Sequence, residues 1–491
     1  MKSLGAFQIP TGSALIALVL AAGCTSVPDV GPKPEVRAAQ SIEAEQSLPS
    51  TDAAAWPDDQ WWKQYGDQQL DTLIAEALAK SPDVAAAAAR FRRASGAALE
   101  AGSARLPSID ANASAYEDRR SLNNGFSDEI RRFLPSGWRS GGDVSVSGGF
   151  DLDLWGRNRA AHAAATSDER AAALDLMEAR LMLASAIAFA YFDLGQLTAQ
   201  RGLSQSSLDV RLSSRELVSM RLKNGLEMRG SLRQADAQVA RARADLEAAD
   251  ARTLLRRYQI AALLGAGPDR GLTISPPDIA AAKPLGLPAG VTTELVARRP
   301  DIVAARERVE AAAQRIKVAR ADFFPAIRLE ALIGLQSIGL SSLLESDSAY
   351  GRAGPAVNLP IFHGGALRGR YRVSRATYDE AVANYDATVV GAYREVAEIM
   401  TRRASLASRL ALARDAVGAL DDAYKIAMLR YRGGLSGYSE ALTAEDRLLD
   451  ARRTASDLET EARGLDIELI RALGGGFRTD GDTPAKEMID G

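Results

Sequence analysis

The chain is poor in the side chains that usually carry catalysis. Its 491 residues include one cysteine and two histidines. A single cysteine excludes an intrachain disulfide, and so few His and Cys ligands exclude a structural zinc site. A Ser-His-Asp arrangement would need His162 or His363, and neither lies in a recognisable motif. No GxxxxGKS/T loop is present to cradle phosphates. No catalytic residue, metal site or cofactor is therefore expected, and the chain is not read as an enzyme. An excess of one charge sign is also missing. The 63 acidic and 60 basic residues nearly cancel, giving a net charge of −3. A nucleic-acid partner, which wants a basic face, is not expected. Aromatics make up 6% of the chain. The apolar run Ala14 to Ala22 is too short to cross a bilayer as a helix.

What is present is a pattern stated twice. Arg105-Leu106-Pro107-Ser108-Ile109 returns as Phe323-Phe324-Pro325-Ala326-Ile327, and the two prolines stand 218 apart (325 − 107). Ser81-Pro82-Asp83 and Arg299-Pro300-Asp301 keep the same offset of 218 (300 − 82). Further on, Asn224-Gly225 matches Gly433-Gly434 and Leu264-Gly265 matches Leu473-Gly474, at an offset of 209 (434 − 225). An ungapped repeat over a whole helix indicates internal duplication.

The N-terminus has Lys2, a short apolar run and then Gly23-Cys24, the shape of a secretory signal over residues 1–23. Residues 24–65 read as a Pro-, Ala- and Glu-rich tether that ends in an aromatic equatorial segment with Trp56, Trp61, Trp62 and Tyr65. The first repeat spans residues 66–267. Strands are expected at about 107–120 and 140–155, and long helices at about 156–222 and 228–264. Ile109, Ala111, Ala113 and Ala115 share one face of the first strand, opposite Asp110, Asn112 and Ser114. Val144, Val146, Phe150, Leu152 and Leu154 alternate with polar residues in the second. No proline interrupts Gly156 to Met220, which allows one helix about 90 Å long. A Pro/Gly-rich linker, 268–291, separates the halves. The second repeat, 292–475, has expected strands at about 325–338 and 349–362 and helices at about 364–431 and 437–473. A polar tail, 476–491, follows.

Two-faced strands of about ten residues suit a membrane barrel. Four strands cannot close one, and open edges cannot exist in lipid, so closure must use other copies. Periodicity leads to an oligomeric barrel joined to long helices and carries no copy number.

The ordered motifs resemble the TolC-type outer-membrane factor family, in its NodT/OprM-like lipoprotein branch. They are Trp61-Trp62 with Asp67 and Leu70, Arg299-Pro300-Asp301, Phe323-Phe324-Pro325, Leu359-Pro360-Ile361-Phe362 with Gly364-Gly365, and Arg430-Tyr431 with Gly434 and Tyr438. Leu20-Ala21-Ala22-Gly23-Cys24 resembles a bacterial lipobox. That implies cleavage between Gly23 and Cys24, and diacylglycerol plus an N-acyl chain such as palmitate on Cys24. The family resemblance implies a mainly helical fold with membrane strands: a homotrimer with a twelve-stranded β-barrel on a twelve-helix periplasmic tunnel. It implies a channel in the outer membrane, touching its lipid, that passively conducts drugs or other small solutes. The implied partners are a periplasmic adaptor and an inner-membrane efflux pump of RND type.

The family's closed end lies at the turns between long helices, here Asn224-Gly225 and Gly433-Gly434. The acid that relatives carry just after the second turn is displaced: the stretch reads Thr443-Ala444-Glu445-Asp446. Glu440, Thr443, Glu445 and Asp446 are the gate candidates, with Glu440 or Glu445 expected to substitute. Tyr431 and Tyr438 flank the turn as adaptor-contact candidates, or pack between helices. Two other readings compete. An adhesive coiled-coil surface lipoprotein would not need two-faced strands in both halves, and a periplasmic adaptor would not need the doubled order.

Overall fold

The computed structural model describes residues 27–38, 41–48, 55–119, 121, 125, 127–133, 137–277, 287–288 and 291–478. The signal peptide, Gly23, Cys24, most of the linker and all but the start of the tail lie outside the described residues. In chain order the longer elements are α1 (Gln68–Lys80), α2 (Pro82–Ser103), β1 (Ser108–Asp118), β2 (Arg139–Asp151), α3 (Arg157–Lys223), α4 (Arg229–Leu263), α5 (Val291–Arg298), α6 (Pro300–Ala321), β3 (Ala326–Ile338), β4 (Ala349–Asn358), α7 (Ala366–Arg432) and α8 (Tyr438–Ala472). Contacts divide the chain into two units. One holds Met1–Glu35, Arg92–Arg170 and Arg306–Ala383; the other holds Val36–Phe91, Ala171–Ala305 and Asn384–Gly491.

The first unit is built on one antiparallel sheet of four strands in the order β1-β2-β3-β4. Its register decides what the sheet can face. Ala111 pairs with Val146 and Ala113 with Val144. Val144 then pairs with Leu335, Val146 with Ile333 and Phe150 with Leu329. Leu329 pairs with Pro355 and Ile327 with Val357. Opposite partners share a face, so the apolar sets of all four strands merge into one surface. That surface is uncovered: Ile333 is 71% exposed and Ile109 77%. The other face is polar. It joins Asp143 to the Tyr350 hydroxyl, which donates at 2.7 Å, and sets Asp151 opposite Arg328.

β2 and β4 stop earlier than their alternation suggests, at Asp151 and Asn358. After β2, Asp153 adopts the left-handed φ of 44°. Its carboxylate accepts from the Asn158 N–H at 2.9 Å and the Arg159 N–H at 3.0 Å. The residue therefore ends the strand and caps α3, and Leu154 falls in the elbow. After β4, Pro360 has no N–H to continue a ladder. An Asp153→Ala variant is expected to lose about 1–2 kcal/mol through the missing cap. Asp153→Gly, freed of the φ penalty, should lose less. Thermal melting of the detergent-solubilised protein tests the ranking.

The second unit is helical. Trp61 is buried beneath Trp62, with ring centroids 5.7 Å apart, and Tyr65 meets Phe192 edge-on at 4.8 Å. Asp67 caps α1 through the Gln69 and Leu70 N–H groups and accepts from the Tyr191 hydroxyl at 2.9 Å. Arg299 donates to Asp301 (2.8 Å), Glu395 (2.8 Å) and the Ala472 carbonyl (3.0 Å). One guanidinium thus ties the start of α6 to α7 and to the end of α8.

Candidate functional site

α3 and α7 each have 67 residues, about 100 Å, and each is followed by a 35-residue helix. The reversals between them are the same motif built twice. Gly225 and Gly434 both take φ +73°. The Leu226 N–H donates to the Arg221 carbonyl at 2.8 Å and the Leu435 N–H to the Arg430 carbonyl at 2.9 Å. Gly225 and Gly434 donate to the Leu222 and Tyr431 carbonyls. This six-to-one and five-to-two pairing closes a helix only with a residue at positive φ, which glycine adopts without strain.

Tyr431 and Tyr438 are buried, 1% and 4% exposed, with centroids 5.6 Å apart. They pack with Val218, Ala235, Ala441 and Leu442, so both hairpins share one small core. Arg221 crosses from the first turn, its guanidinium 4.9 Å over the Tyr431 ring and its Nη1 donating to the Tyr431 carbonyl at 3.1 Å. The Tyr431 hydroxyl donates to Glu227 at 3.2 Å. Burial, followed by the Glu227 charge, pushes the Tyr431 hydroxyl up to about 12. Burial raises Glu227 too, but bonds from the Met228 N–H, Ser231 and Tyr431 outweigh it and leave the carboxyl below its ordinary value. Both tyrosines pack between the hairpins, the second of the two roles their positions beside the turn suggest. The exposed apolar residues at the turns are Leu226, Met228 and Leu435.

The gate candidates separate by environment. Glu440 is exposed and pairs with Arg430 across its own turn at 3.2 Å. Thr443 is exposed and its hydroxyl bonds back to the Ser439 carbonyl at 2.8 Å. Glu445 is 3% exposed and meets Arg211 of α3 at 3.2 Å. Asp446, half exposed, meets the same guanidinium at 2.7 Å. Arg211 also donates to the Gln238 side chain on α4. One buried arginine therefore joins three helices. Burial raises the Glu445 carboxyl above its ordinary value, against the pull of Arg211. Sequence reading missed Arg211, Gln238, Arg221 and Glu227. Arg211 stands between Val210 and Leu212 with no local mark, and Glu445 lies 234 residues further on.

Among the described residues no group of three or more His, Cys, Asp or Glu side chains is placed to hold a metal. No described helix is long and apolar enough to cross a membrane.

The outer membrane efflux protein model matches this chain twice, over residues 73–266 and 291–475. The two matches coincide with the two copies of the motif set and carry the internal duplication. The fusaric acid resistance protein FusA of Burkholderia cepacia is 33% identical over 365 residues, 74% of this chain and 68% of that protein. The multidrug resistance outer membrane protein MdtP of Escherichia coli K12 is 30% identical over 480 residues, 95% of this chain and 96% of that protein. The crystal structure of the outer membrane protein VceC from Vibrio cholerae superposes with a TM-score of 0.80 at 40% identity, covering 86% of this chain and all of that one. The adhesive-lipoprotein reading finds no support in these likenesses. The chain belongs to the outer membrane efflux protein family, as a non-enzymatic channel component of the outer membrane.

Proposed function

We propose that three copies of the chain close a twelve-stranded barrel on a twelve-helix periplasmic tunnel, and that this assembly is the passive outer conduit of a tripartite pump. The carrying observation is the sheet. It has one continuous apolar face, one polar face, and unpaired edges at β1 and β4. Such edges are intolerable in lipid, and closure against copies removes them. Twelve strands leave an aqueous lumen, whereas eight would be filled by side chains. The polar face then lines the lumen. An inner-membrane pump of RND type supplies the energy and a periplasmic adaptor bridges to the turns, where Leu226, Met228 and Leu435 offer apolar docking points. Drugs and other small solutes are the cargo.

We also assign a lipid anchor to Cys24. The tether bonds along α7: Arg375 donates to the Gly31 carbonyl at 3.3 Å and to the Pro32 carbonyl, and Tyr378 donates to the Pro34 carbonyl at 3.1 Å. Lower tether numbers meet lower helix numbers, so the chain climbs toward the strand end of α7. Seven residues from Gly31 to Cys24 reach at most about 25 Å, and α7 begins about 14 Å before Arg375. The anchor can therefore reach the barrel's edge.

Mass by light scattering, with electron microscopy of the purified protein, tests the assembly. A hollow tube of three chains is expected; a monomer or a solid rod would overturn the channel assembly. A Cys24→Ser variant is expected to lose the mass of its acyl chains in intact-protein mass spectrometry while still forming trimers. An unchanged mass would refute the anchor.

A further inference from the structure

The first turns of α7 carry charges that find no acidic partner among the described residues. Arg368, Arg370 and Arg372 are exposed, and none forms an ion pair among the described residues. No acidic residue stands in the first turn of this helix. At 3.6 residues per turn, Arg368, Arg372 and Arg375 fall on one face, and Arg370 falls on the opposite one. Arg375 is the residue that holds the tether, and it is buried in doing so. The other two repeat its position one and two turns closer to the strands and are exposed. By contrast the arginines that open α3 are paired, Arg157 with Asp322 at 2.9 Å and Arg159 with Asp153 at 3.3 Å.

The stripe continues from apolar surface. Val357 on the apolar face of β4 is 65% exposed, and Phe362 in the connection to α7 is 85% exposed. On the other repeat Trp155 is half exposed, stacks on Phe324 at 4.7 Å and donates its indole N–H to the Pro325 carbonyl at 2.8 Å. Aromatic rings at the end of an apolar strand surface mark the level where hydrocarbon gives way to headgroups. Arg368 and Arg372 follow Phe362 by six and ten residues (368 − 362 and 372 − 362), a spacing that suits contact with headgroup phosphates.

We propose that Arg368 and Arg372 form a headgroup site for an anionic phospholipid of the periplasmic leaflet, whose chains lie on the apolar face of β4. The guanidinium fork suits a phosphate oxygen pair, and exposed aliphatic and aromatic carbon beside it suits acyl chains. The site rests on the outer-membrane location of the family and not on lipidation of Cys24 or on the number of copies.

The test is native mass spectrometry of the full-length protein in mild detergent, titrated with phosphatidylglycerol or phosphatidylethanolamine. The wild type is expected to retain phosphatidylglycerol about tenfold better, with the preference shrinking as salt rises. R368Q/R372Q should abolish the preference, R368K/R372K should keep most of it, and R370Q should leave it unchanged. A wild type without preference, or an R368Q/R372Q variant that keeps it, overturns the site. Loss of assembly in R368Q/R372Q with unaltered lipid retention also overturns it, because the arginines would then face a neighbouring copy. Assembly and conductance of the same samples report separately on the channel reading.

Discussion

An Arg211→Met variant is expected to lose about 3 kcal/mol at the hairpin ends and to leak more current than the wild type in planar bilayers. The reason is geometric. Arg211 is the shared partner of Glu445, Asp446 and Gln238, and it binds α8 and α4 to α3. Asp446 can turn to water, but Glu445 is 3% exposed and cannot. Removing the cation leaves a buried carboxylate with no counter-charge, which costs far more than the pair contributes. The double variant R211M/E445L replaces the pair with apolar volume and is expected to recover most of the stability while still leaking. That split would separate stability from gating.

The loss should depend on pH with a defined sign. The Glu445 carboxyl already titrates above its ordinary value in the folded chain because of burial. A raised carboxyl favours the folded state when protonated, so its contribution is most favourable below the ordinary carboxylate range. It declines as pH rises through the folded value. Without Arg211 the folded value rises further. The deficit of R211M is therefore expected to be small near pH 4 and larger at pH 8. Melting and conductance identical to wild type at both pH values would overturn this role for Arg211.

A Gly474→Ala variant is expected to be the most damaging single methyl group in the second unit, lowering stability by about 3 kcal/mol or preventing assembly. Gly474 has φ +90°, and a Cβ there would stand 1.8 Å from the Arg298 carbonyl oxygen. The backbone at the end of α8 is packed directly onto the end of α5. The first repeat makes the same joint with Gly265, φ +69°, whose Cβ would stand 2.8 Å from the Lys80 carbonyl oxygen. Both joints fall just before the helix-starting Pro82 and Pro300. Gly265→Ala should therefore show the same defect in weaker form. A Gly474→Ala protein with wild-type melting would mean that the joint opens freely.

Features that depend only on neighbouring residues are legible in the chain alone. Prolines at helix starts, glycines at helix ends and runs free of both define where long helices begin and stop, because capping and φ limits act over one turn. Alternation defines two-faced strands, because successive side chains point to opposite faces. Repetition at fixed offsets exposes the duplication. Features that depend on distant partners emerge only once the chain is folded. Only the register shows that four separate apolar sets merge on one face. Only packing shows that Tyr431 and Tyr438 are sealed inside, although they flank an exposed turn. Only the approach of α3 to α8 turns Arg211 and Glu445, 234 residues apart, into one site. A charge on a helix looks the same in sequence whether water or another helix covers it, since burial is set by the partner and not by the residue.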